Sequence, residues 1–418
     1  MIPPTVTALE QEAVHSLPDP GRGWQLRFWA IFGGQALSLI GSALTQFVLL
    51  WWITDTTGSV SALATAGTAA LLPQALLGPL GGVLADRYSR RLLLIAADAV
   101  SALCMLVLIA LFLTGRIELW HAYAMMAVRS AMQAFQAPAA AASTAMLVPR
   151  DFLPRAAGLN QTLMGLMTVA AAPLGALAIG VMPIGMALGI DVLTALLGIV
   201  PLLVFRIPQP EVPPADRTGI WSEFQGGVRL VWGHPGLRRL YGLLGAVVLV
   251  VMPSFTLVPL LVKEHFGGGA GQVAVMEGVA GAAMLAGGMV VAAFPPGRPM
   301  PWILWGLAGS CFAVALAALM PREMFWAAVF WWGVSGAAFV IGDAPMMALL
   351  QSSIPHHQQG RALSLMTAVM GLAAPVGLAV AGPIGEMMGT RWLFVLTGTL
   401  AGGVALVGFR SKALRDFG

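Results

Sequence analysis

The chain has 418 residues, of which 58% are hydrophobic and 10% are charged, and its mean hydropathy is +0.84. One globular core cannot bury that much apolar surface, so the composition excludes a water-soluble protein and predicts a multi-pass membrane protein whose solvent is the lipid bilayer. The net charge of +4 comes from arginines between apolar runs, and nucleic acid is therefore not predicted as a partner.

The apolar runs predict an all-α membrane protein. A spanning helix needs about 20 mostly apolar residues, and runs between charged, proline and glycine residues supply twelve of them. The runs are continuous instead of alternating, which excludes a β-barrel. Predicted helices 1 to 12 cover 27–50, 61–84, 92–113, 119–147, 156–180, 183–204, 237–262, 271–294, 300–320, 324–350, 362–388 and 390–409.

These helices divide the chain into five parts. The segment between the two sets of six is rich in proline and charge and too short for a catalytic domain, so it is interpreted as a linker and no enzyme activity is predicted. The first residues lack the apolar core of a signal peptide and are predicted to be a tail. The parts are a cytoplasmic tail 1–26, a bundle 27–204, a cytoplasmic linker 205–236, a second bundle 237–409 and a cytoplasmic tail 410–418.

The basic residues predict how the chain is oriented. With both termini in the cytoplasm, 17 of the 22 Lys and Arg lie on the cytoplasmic side and Arg129 lies within a helix. Basic loop residues resist translocation, so this strong bias favours the arrangement. The four basic residues predicted on the outer side of the membrane are Arg116, Lys263, Arg322 and Arg391.

The two halves of the sequence resemble each other in several short segments. Separations of 202 to 207 residues between matching segments indicate duplication of a six-helix unit with the same orientation in both copies. Parallel repeats around a cavity at the membrane midplane are the architecture of one large class of transporters. The matching pairs are QAP (136–138) with DAP (343–345), VPRDFLPRAAGL (148–159) with IPHHQQGRALSL (354–365), and AAPLGALAIG (171–180) with AAPVGLAVAG (373–382).

A charged turn, GPLGGVLADRYSRR (78–91), separates predicted helices 2 and 3. It resembles the signature loop of the major facilitator superfamily, although Ser89 stands where glycine is usual. Three further segments, 94–98, 189–197 and 351–365, resemble the branch that contains macrolide-efflux proteins and the enterobactin exporter. The resemblance implies the major facilitator fold and transport across the bacterial cytoplasmic (inner) membrane. The residues that fit the signature are Gly82, Asp86, Arg87, Arg90 and Arg91.

This turn is predicted to latch the cytoplasmic gate. Gly82 allows close backbone approach, and Asp86 can accept hydrogen bonds from arginine or from the first amides of helix 3. Contacts of this kind can break and re-form as the gate moves. The alternative is that the arginines serve only the topology.

Away from the helix ends, five charged side chains fall inside predicted helices, where an ion is costly and marks either a pathway or a structural pair. The resemblance implies that helices 1, 4, 7 and 10 line the cavity, so Arg129 and Asp343 are predicted to couple protons or bind substrate. Arg129 matches a helix-4 arginine linked in the family to proton coupling. Glu277 is a third candidate near the outer surface. Asp98 and Asp191 lie on outer-ring helices and are predicted to pair with arginine or backbone.

Polar stripes predict a wet central cavity. On helix 1, spacings of three, four and three residues place four polar side chains on one face, and helices 4 and 5 add more. The alternative is that such stripes bind helices together. Pro173 is predicted to bend helix 5, in a segment that resembles the antiporter motif of family exporters. The predicted lining residues are Gln35, Ser38, Ser42, Thr45, Gln133, Gln136, Asn160 and Met164.

The energy source is predicted to be a proton gradient, because no loop is large enough for an ATP-hydrolysing domain. Six scattered histidines predict no metal site, and no cofactor is predicted. The predicted function is export of an amphipathic small molecule, drug-like or a siderophore, by proton antiport with alternating access, carried out by a monomer. The alternatives are a facilitator or importer of a metabolite or lipid, and a membrane sensor that transports nothing.

Overall fold

The structure is a computed structural model that describes residues 21, 23–207, 220–354, 356–415 and 417. The predicted tail 1–26 and the predicted linker 205–236 therefore lie partly outside the described residues. The prediction of an all-helical chain with twelve long helices is confirmed. Their bounds are α1 Trp24–Thr57, α2 Val60–Arg87, α3 Arg90–Leu113, α4 Leu119–Leu147, α5 Leu153–Val181, α6 Ile184–Val204, α7 Pro235–Glu264, α8 Ala270–Ala293, α9 Pro299–Leu319, α10 Phe325–Ser353, α11 His356–Met388 and α12 Thr390–Val407.

Short turns join consecutive helices within each bundle, and the residues of the first two turns explain where the flanking helices begin and end. Gly58 adopts a left-handed conformation with φ 58° and ends α1. Ser59 then caps α2, because its side-chain oxygen accepts a hydrogen bond from the amide of Ala62 at 3.1 Å. Ser89 caps α3 in the same manner through the amide of Leu92. These short connections keep neighbouring helices antiparallel.

Eleven of the described helices are long and apolar enough to cross a membrane. The remaining long helix is α4, which carries Arg129, Gln133 and Gln136 along its length. Polar side chains at membrane depth must find partners inside the protein or face a water-filled cavity. The polar character of α4 therefore points to the interior of the molecule.

The helices form two bundles with the same internal arrangement. In the first bundle α1 packs on α5 and α6, α2 packs on α4, and α3 packs on α4 and α6. In the second, α7 packs on α11 and α12, α8 packs on α10, and α9 packs on α10 and α12. The two bundles meet where α2 contacts α11 and α5 contacts α8. A duplicated unit related by an axis along the membrane normal has this organisation.

The bundles are held together at the end of the molecule that contains the α1–α2 turn. Lys263 on α7 donates to the carboxylate of Asp55 at 2.8 Å and to its backbone carbonyl at 2.6 Å. Glu386 on α11 accepts hydrogen bonds from the hydroxyl of Ser59 and from the amide of Ser61. This end is closed by contacts between the bundles.

The opposite end, which contains the α2–α3 turn, is open. A cavity between the bundles extends from the middle of the helices to Arg87, the last residue of α2. A fourteen-residue helix of the linker, Ile220–Gly233, packs against α7 and α11 at this end. The molecule therefore has one open and one closed end.

Candidate functional site

The central cavity is bounded by α2 and α4 of the first bundle and by α7, α9, α10 and α11 of the second. Its volume is about 1120 Å³, slightly above the roughly 300–1,000 Å³ of typical ligand pockets, so it has room for a drug-sized molecule. Much of the wall is apolar and includes flexible methionine and aromatic side chains, which adapt to molecules of different shape. These wall residues include Val247, Val251, Met252, Phe255, Phe339 and Met346.

Asp343 on α10 lines this cavity and is half-buried. Among the described residues its carboxylate has no hydrogen-bond or ion-pair partner. Arg87 is the other charged residue in the described lining, but it lies at the mouth. Asp343 precedes the last residue of α10 by ten positions, so it lies about 15 Å deeper at 1.5 Å per residue. The cavity thus has a negative group deep inside and a positive group at its entrance.

The arginines of the charged turn are held within the first bundle. Arg90 is buried and donates to the carbonyl oxygens of Ala85 at 3.2 Å and Ala142 at 3.1 Å. Arg91 donates to the last carbonyls of α6, those of Leu202 and Leu203. Carbonyls at helix ends lack partners within the helix, so these bonds tie α3 to α4 and α6.

Of the predicted gating residues, Gly82 and Arg87 line the cavity mouth. The side chain of Asp86 lies outside the described residues. In this open conformation the described bonds of Arg90 and Arg91 stay inside their own bundle. The latch between the bundles therefore remains a prediction for the closed state.

The sequence predicted a close backbone approach at Gly82. In the structure the close approach, between α2 and α4, occurs at Gly81 instead. A Cβ added to Gly81 would collide with the carbonyl oxygen of Ala134 on α4, whereas a Cβ on Gly82 would meet nothing within 4 Å. Small residues of this kind let membrane helices pack closely.

We expect Gly81→Ala to lower the melting temperature of the purified protein, because α2 and α4 must move apart. The matched control is Gly82→Ala, which should leave the melting temperature unchanged. Thermal unfolding in detergent, followed by tryptophan fluorescence, compares the two. Equal melting temperatures for both variants would contradict the close contact at Gly81.

The polar stripe of α1 faces the interior of the first bundle. Asp98 on α3 is only 3% exposed, and three side chains donate to its carboxylate. Gln35 donates to one oxygen at 2.9 Å, and Ser38 and Gln136 donate to the other at 3.0 and 2.8 Å. Gln136 also donates to the side-chain amide oxygen of Gln35 at 3.3 Å. Asp98 is thus the acceptor that these donors share.

A second buried carboxylate, on α6, contacts α1 one helical turn beyond the Asp98 site. Asp191 on α6 is 2% exposed, and the hydroxyl of Ser42 donates to it at 3.1 Å. Arg129 on α4 forms an ion pair with Asp191 at 3.5 Å and also donates to the backbone carbonyl of Ser42 at 3.3 Å. Four helices, α1, α3, α4 and α6, therefore meet in two neighbouring hydrogen-bonded clusters, which together contain two carboxylates and one guanidinium and form the buried network.

The eight residues predicted to line the cavity fall into three groups. Gln133 lines it, whereas Gln35, Ser38, Ser42 and Gln136 belong to the buried network. The remaining three are outside the described lining: Thr45 is buried with its hydroxyl unpaired among the described residues, and Asn160 and Met164 are exposed on α5.

The ion pair of Asp191 with Arg129 agrees with the prediction that Asp191 pairs with arginine or backbone, whereas Asp98 accepts from glutamine and serine side chains instead. Sequence reasoning did not identify the two aspartates as the acceptors for the polar stripe of α1. A signal was present, because a stripe of hydrogen-bond donors on an apolar helix requires buried acceptors. Glutamine and serine on α1 supply the donors, and each of the two neighbouring helices contains one aspartate.

Glu277 and Pro173 both belong to the α5–α8 side of the molecule. Glu277 is partly buried on α8, and its carboxylate has no polar partner among the described residues. Pro173 lies inside α5 with its ring toward Gly278 of α8. Pro173 and Gly278 line an apolar groove between the bundles, separate from the central cavity, whereas Glu277 is not part of its described lining.

The sequence profile of the Major Facilitator Superfamily matches residues 31–374, most of the chain. The chain belongs to the major facilitator superfamily. Members of this superfamily are membrane transporters and not enzymes, so the protein is a transporter of a small molecule. Macrolide efflux protein A of Streptococcus pyogenes is 30% identical over 390 residues, which is 92% of this chain and 95% of that protein.

Three further similar proteins share less sequence identity with this chain. The enterobactin exporter EntS of Salmonella choleraesuis is 26% identical over 74% of this chain and 73% of its own length. A bacterial homologue of the human lysosomal transporter Spinster, solved in an inward-facing and unoccupied conformation, superposes with a TM-score of 0.73 at 14% identity, covering 95% of this chain and 99% of that one. The nucleoside transporter NupG gives a TM-score of 0.66 at 10% identity over 90% and 98% of the two chains. These structures share the fold.

Proposed function

We propose that the protein exports an amphipathic small molecule carrying a protonated amine, in exchange for protons, by alternating access. The central cavity provides the space, and its wall provides apolar contacts for the body of such a molecule. Asp343 provides the charge that would hold the amine. This unpaired carboxylate at the depth of the cavity is the observation that carries the proposal.

The charge of Asp343 favours one of the two substrate classes that the sequence predicts. A macrolide carries a tertiary amine that is protonated at neutral pH, and a carboxylate attracts such a cation. A catecholate siderophore is acidic and would meet a charge of its own sign, which costs binding energy. The 30% identity to macrolide efflux protein A agrees with the first class.

The direction of opening supports the transport cycle. With both termini in the cytoplasm, the open end that contains Arg87 faces the cytoplasm and the end closed by Lys263 and Asp55 faces outward. The structure then corresponds to a state that receives substrate from inside the cell. Closure at the charged turn and breakage of the outer contacts would deliver it outside, with one monomer carrying out the cycle.

Erythromycin, a macrolide, serves as the probe for this function. Inside-out proteoliposomes acidified on the inside should accumulate erythromycin, and a protonophore should abolish the accumulation. Enterobactin should not be accumulated under the same conditions. Uptake that ignores the proton gradient would support a facilitator instead, and binding without flux would support a sensor.

A further inference from the structure

The charges of the buried network do not balance. Asp98 and Asp191 are both almost completely buried, and Arg129 is the one cation that contacts either of them among the described residues. If both carboxylates are ionised, the network has a net charge of −1 at membrane depth. Burying such a charge costs several kcal/mol. Binding of one proton to the network neutralises this net charge.

The second repeat has the same helix arrangement without an ion pair at the positions of Arg129 and Asp191. The alignment that pairs QAP (136–138) with DAP (343–345) places Gly336 of α10 at the position of Arg129. A Cβ on Gly336 would lie 2.6 Å from the carbonyl oxygen of Ala280, so this glycine packs directly against α8. At the corresponding point, the second bundle has close helix packing and no arginine.

The counterpart of Asp191 is also apolar. The sequence VLT occurs at 192–194 in α6 and at 395–397 in α12, and this match places Phe394 at the position of Asp191. Phe394 is fully buried and lies near the ring of Trp332, with 6.4 Å between the ring centres. The same helix arrangement is therefore built once with an ion pair and once with an aromatic contact. Packing alone therefore does not explain why the first bundle contains an ion pair at these positions.

We propose that Asp98, in its cage of Gln35, Ser38 and Gln136, is a proton-binding site of the transporter, separate from the substrate cavity. In the ionised state the carboxylate accepts the three hydrogen bonds that the structure contains. In the protonated state the new hydroxyl needs an acceptor. Gln35 can supply this acceptor if its side-chain amide rotates, because its amide oxygen already lies within this cluster and accepts from Gln136.

A route for the proton leads through α4. Gln133 lines the central cavity and lies one helical turn from Arg129, on the same face. The cavity wall at Gln133 is thus one helical turn from Arg129 of the network. A proton taken up from the outer side would neutralise Asp98, and its release toward the cavity would restore the negative charge.

Few other groups can share the proton. Asp191 on α6 already has the cation of Arg129 beside it and accepts from Ser42, and Cys104 lies on α3 itself. The remaining titratable or charged groups of the four helices lie toward their ends, and those described with their side chains are Arg27, Asp55, Arg90, Arg91, His121 and Tyr123. Asp98 is the carboxylate of the network without a cation beside it.

Infrared difference spectroscopy of the purified full-length protein tests the site without any substrate. The spectrum of the wild type minus that of Asp98→Asn should contain the carbonyl stretch of a protonated carboxyl group at acidic pH, replaced by carboxylate bands as the pH rises. A difference spectrum with carboxylate bands at every pH, or with a pH-independent carboxyl band, would overturn the proposal. If Asp98→Asn does not fold, Ser38→Ala serves instead, and its carboxyl band should persist to higher pH because one donor to the carboxylate is lost.

A second measurement connects the site with transport, and it rests on the proposed function. Asp98→Asn should still bind erythromycin, but its rate of erythromycin export should no longer depend on the pH gradient. Asp98→Glu should restore part of that dependence. Unchanged gradient dependence in Asp98→Asn would refute coupling through Asp98. Failure of the wild type to bind erythromycin would refute the proposed substrate class alone, because the infrared result does not depend on it.

Discussion

Replacing Asp343 with Asn is expected to weaken erythromycin binding and export about 10- to 100-fold while the protein remains folded. A hydrogen bond between charged groups contributes about 1.5–3 kcal/mol, and every 1.4 kcal/mol changes a binding constant tenfold. Asparagine keeps the size of the side chain and removes only the charge. Because the carboxylate has no partner among the described residues, its loss leaves no protein group unpaired. Equilibrium binding and the initial rate of export measure the effect.

The control for Asp343→Asn is Asp343→Glu, which keeps the charge and should retain most of the binding. The melting temperature of both variants should equal that of the wild type. Equal affinity of Asp343→Asn and the wild type for erythromycin would show that the carboxylate does not bind the amine. Unchanged affinity with an altered pH dependence would instead assign Asp343 a role in proton transfer.

The helices were predictable because the requirement that they satisfy is local. A stretch that crosses a bilayer must be apolar over about 20 residues, and capping residues mark its ends. The predicted and observed bounds agree within three residues, except that α1 ends seven residues later and α11 begins six residues earlier than predicted. Asp343 was predictable for a related reason. A lone carboxylate inside an apolar helix must face a cavity or a partner.

The rotation of each helix about its own axis was not predictable. The spacing of Gln35, Ser38 and Ser42 shows that they share a face, but it does not show which neighbour that face meets. The structure places this face against α3 and α6, where buried aspartates accept from it. Contacts between helices far apart in the sequence decide this point, and no single segment contains the information.

The same limit applies to Gly81 and Gly82. A glycine at either position would allow two helices to approach closely. The resemblance to the family loop favoured Gly82. Packing against α4 selects Gly81, since only there would a Cβ collide with the neighbouring backbone. Neighbouring glycines differ by about 100° in direction around a helix, so which one meets the neighbour depends on rotation.

Removing Arg129 alone is expected to destabilise the protein more than removing Arg129 and Asp191 together. Arg129→Gln leaves Asp191 buried without its cation, which costs about 3–5 kcal/mol for a buried pair. Arg129→Gln combined with Asp191→Asn removes both charges and should recover most of that loss. Melting temperatures of the two single variants and the double variant, measured in the same detergent, form the thermodynamic cycle.

The second repeat gives a physical reason to expect this recovery. There the corresponding positions hold Gly336 and Phe394, and the bundle has the same helix arrangement. If the destabilisations of the two single variants simply add in the double variant, Arg129 and Asp191 do not interact and the network is not a unit. If the double variant is stable but its transport no longer responds to the pH gradient, the ion pair is required for proton coupling and not for folding.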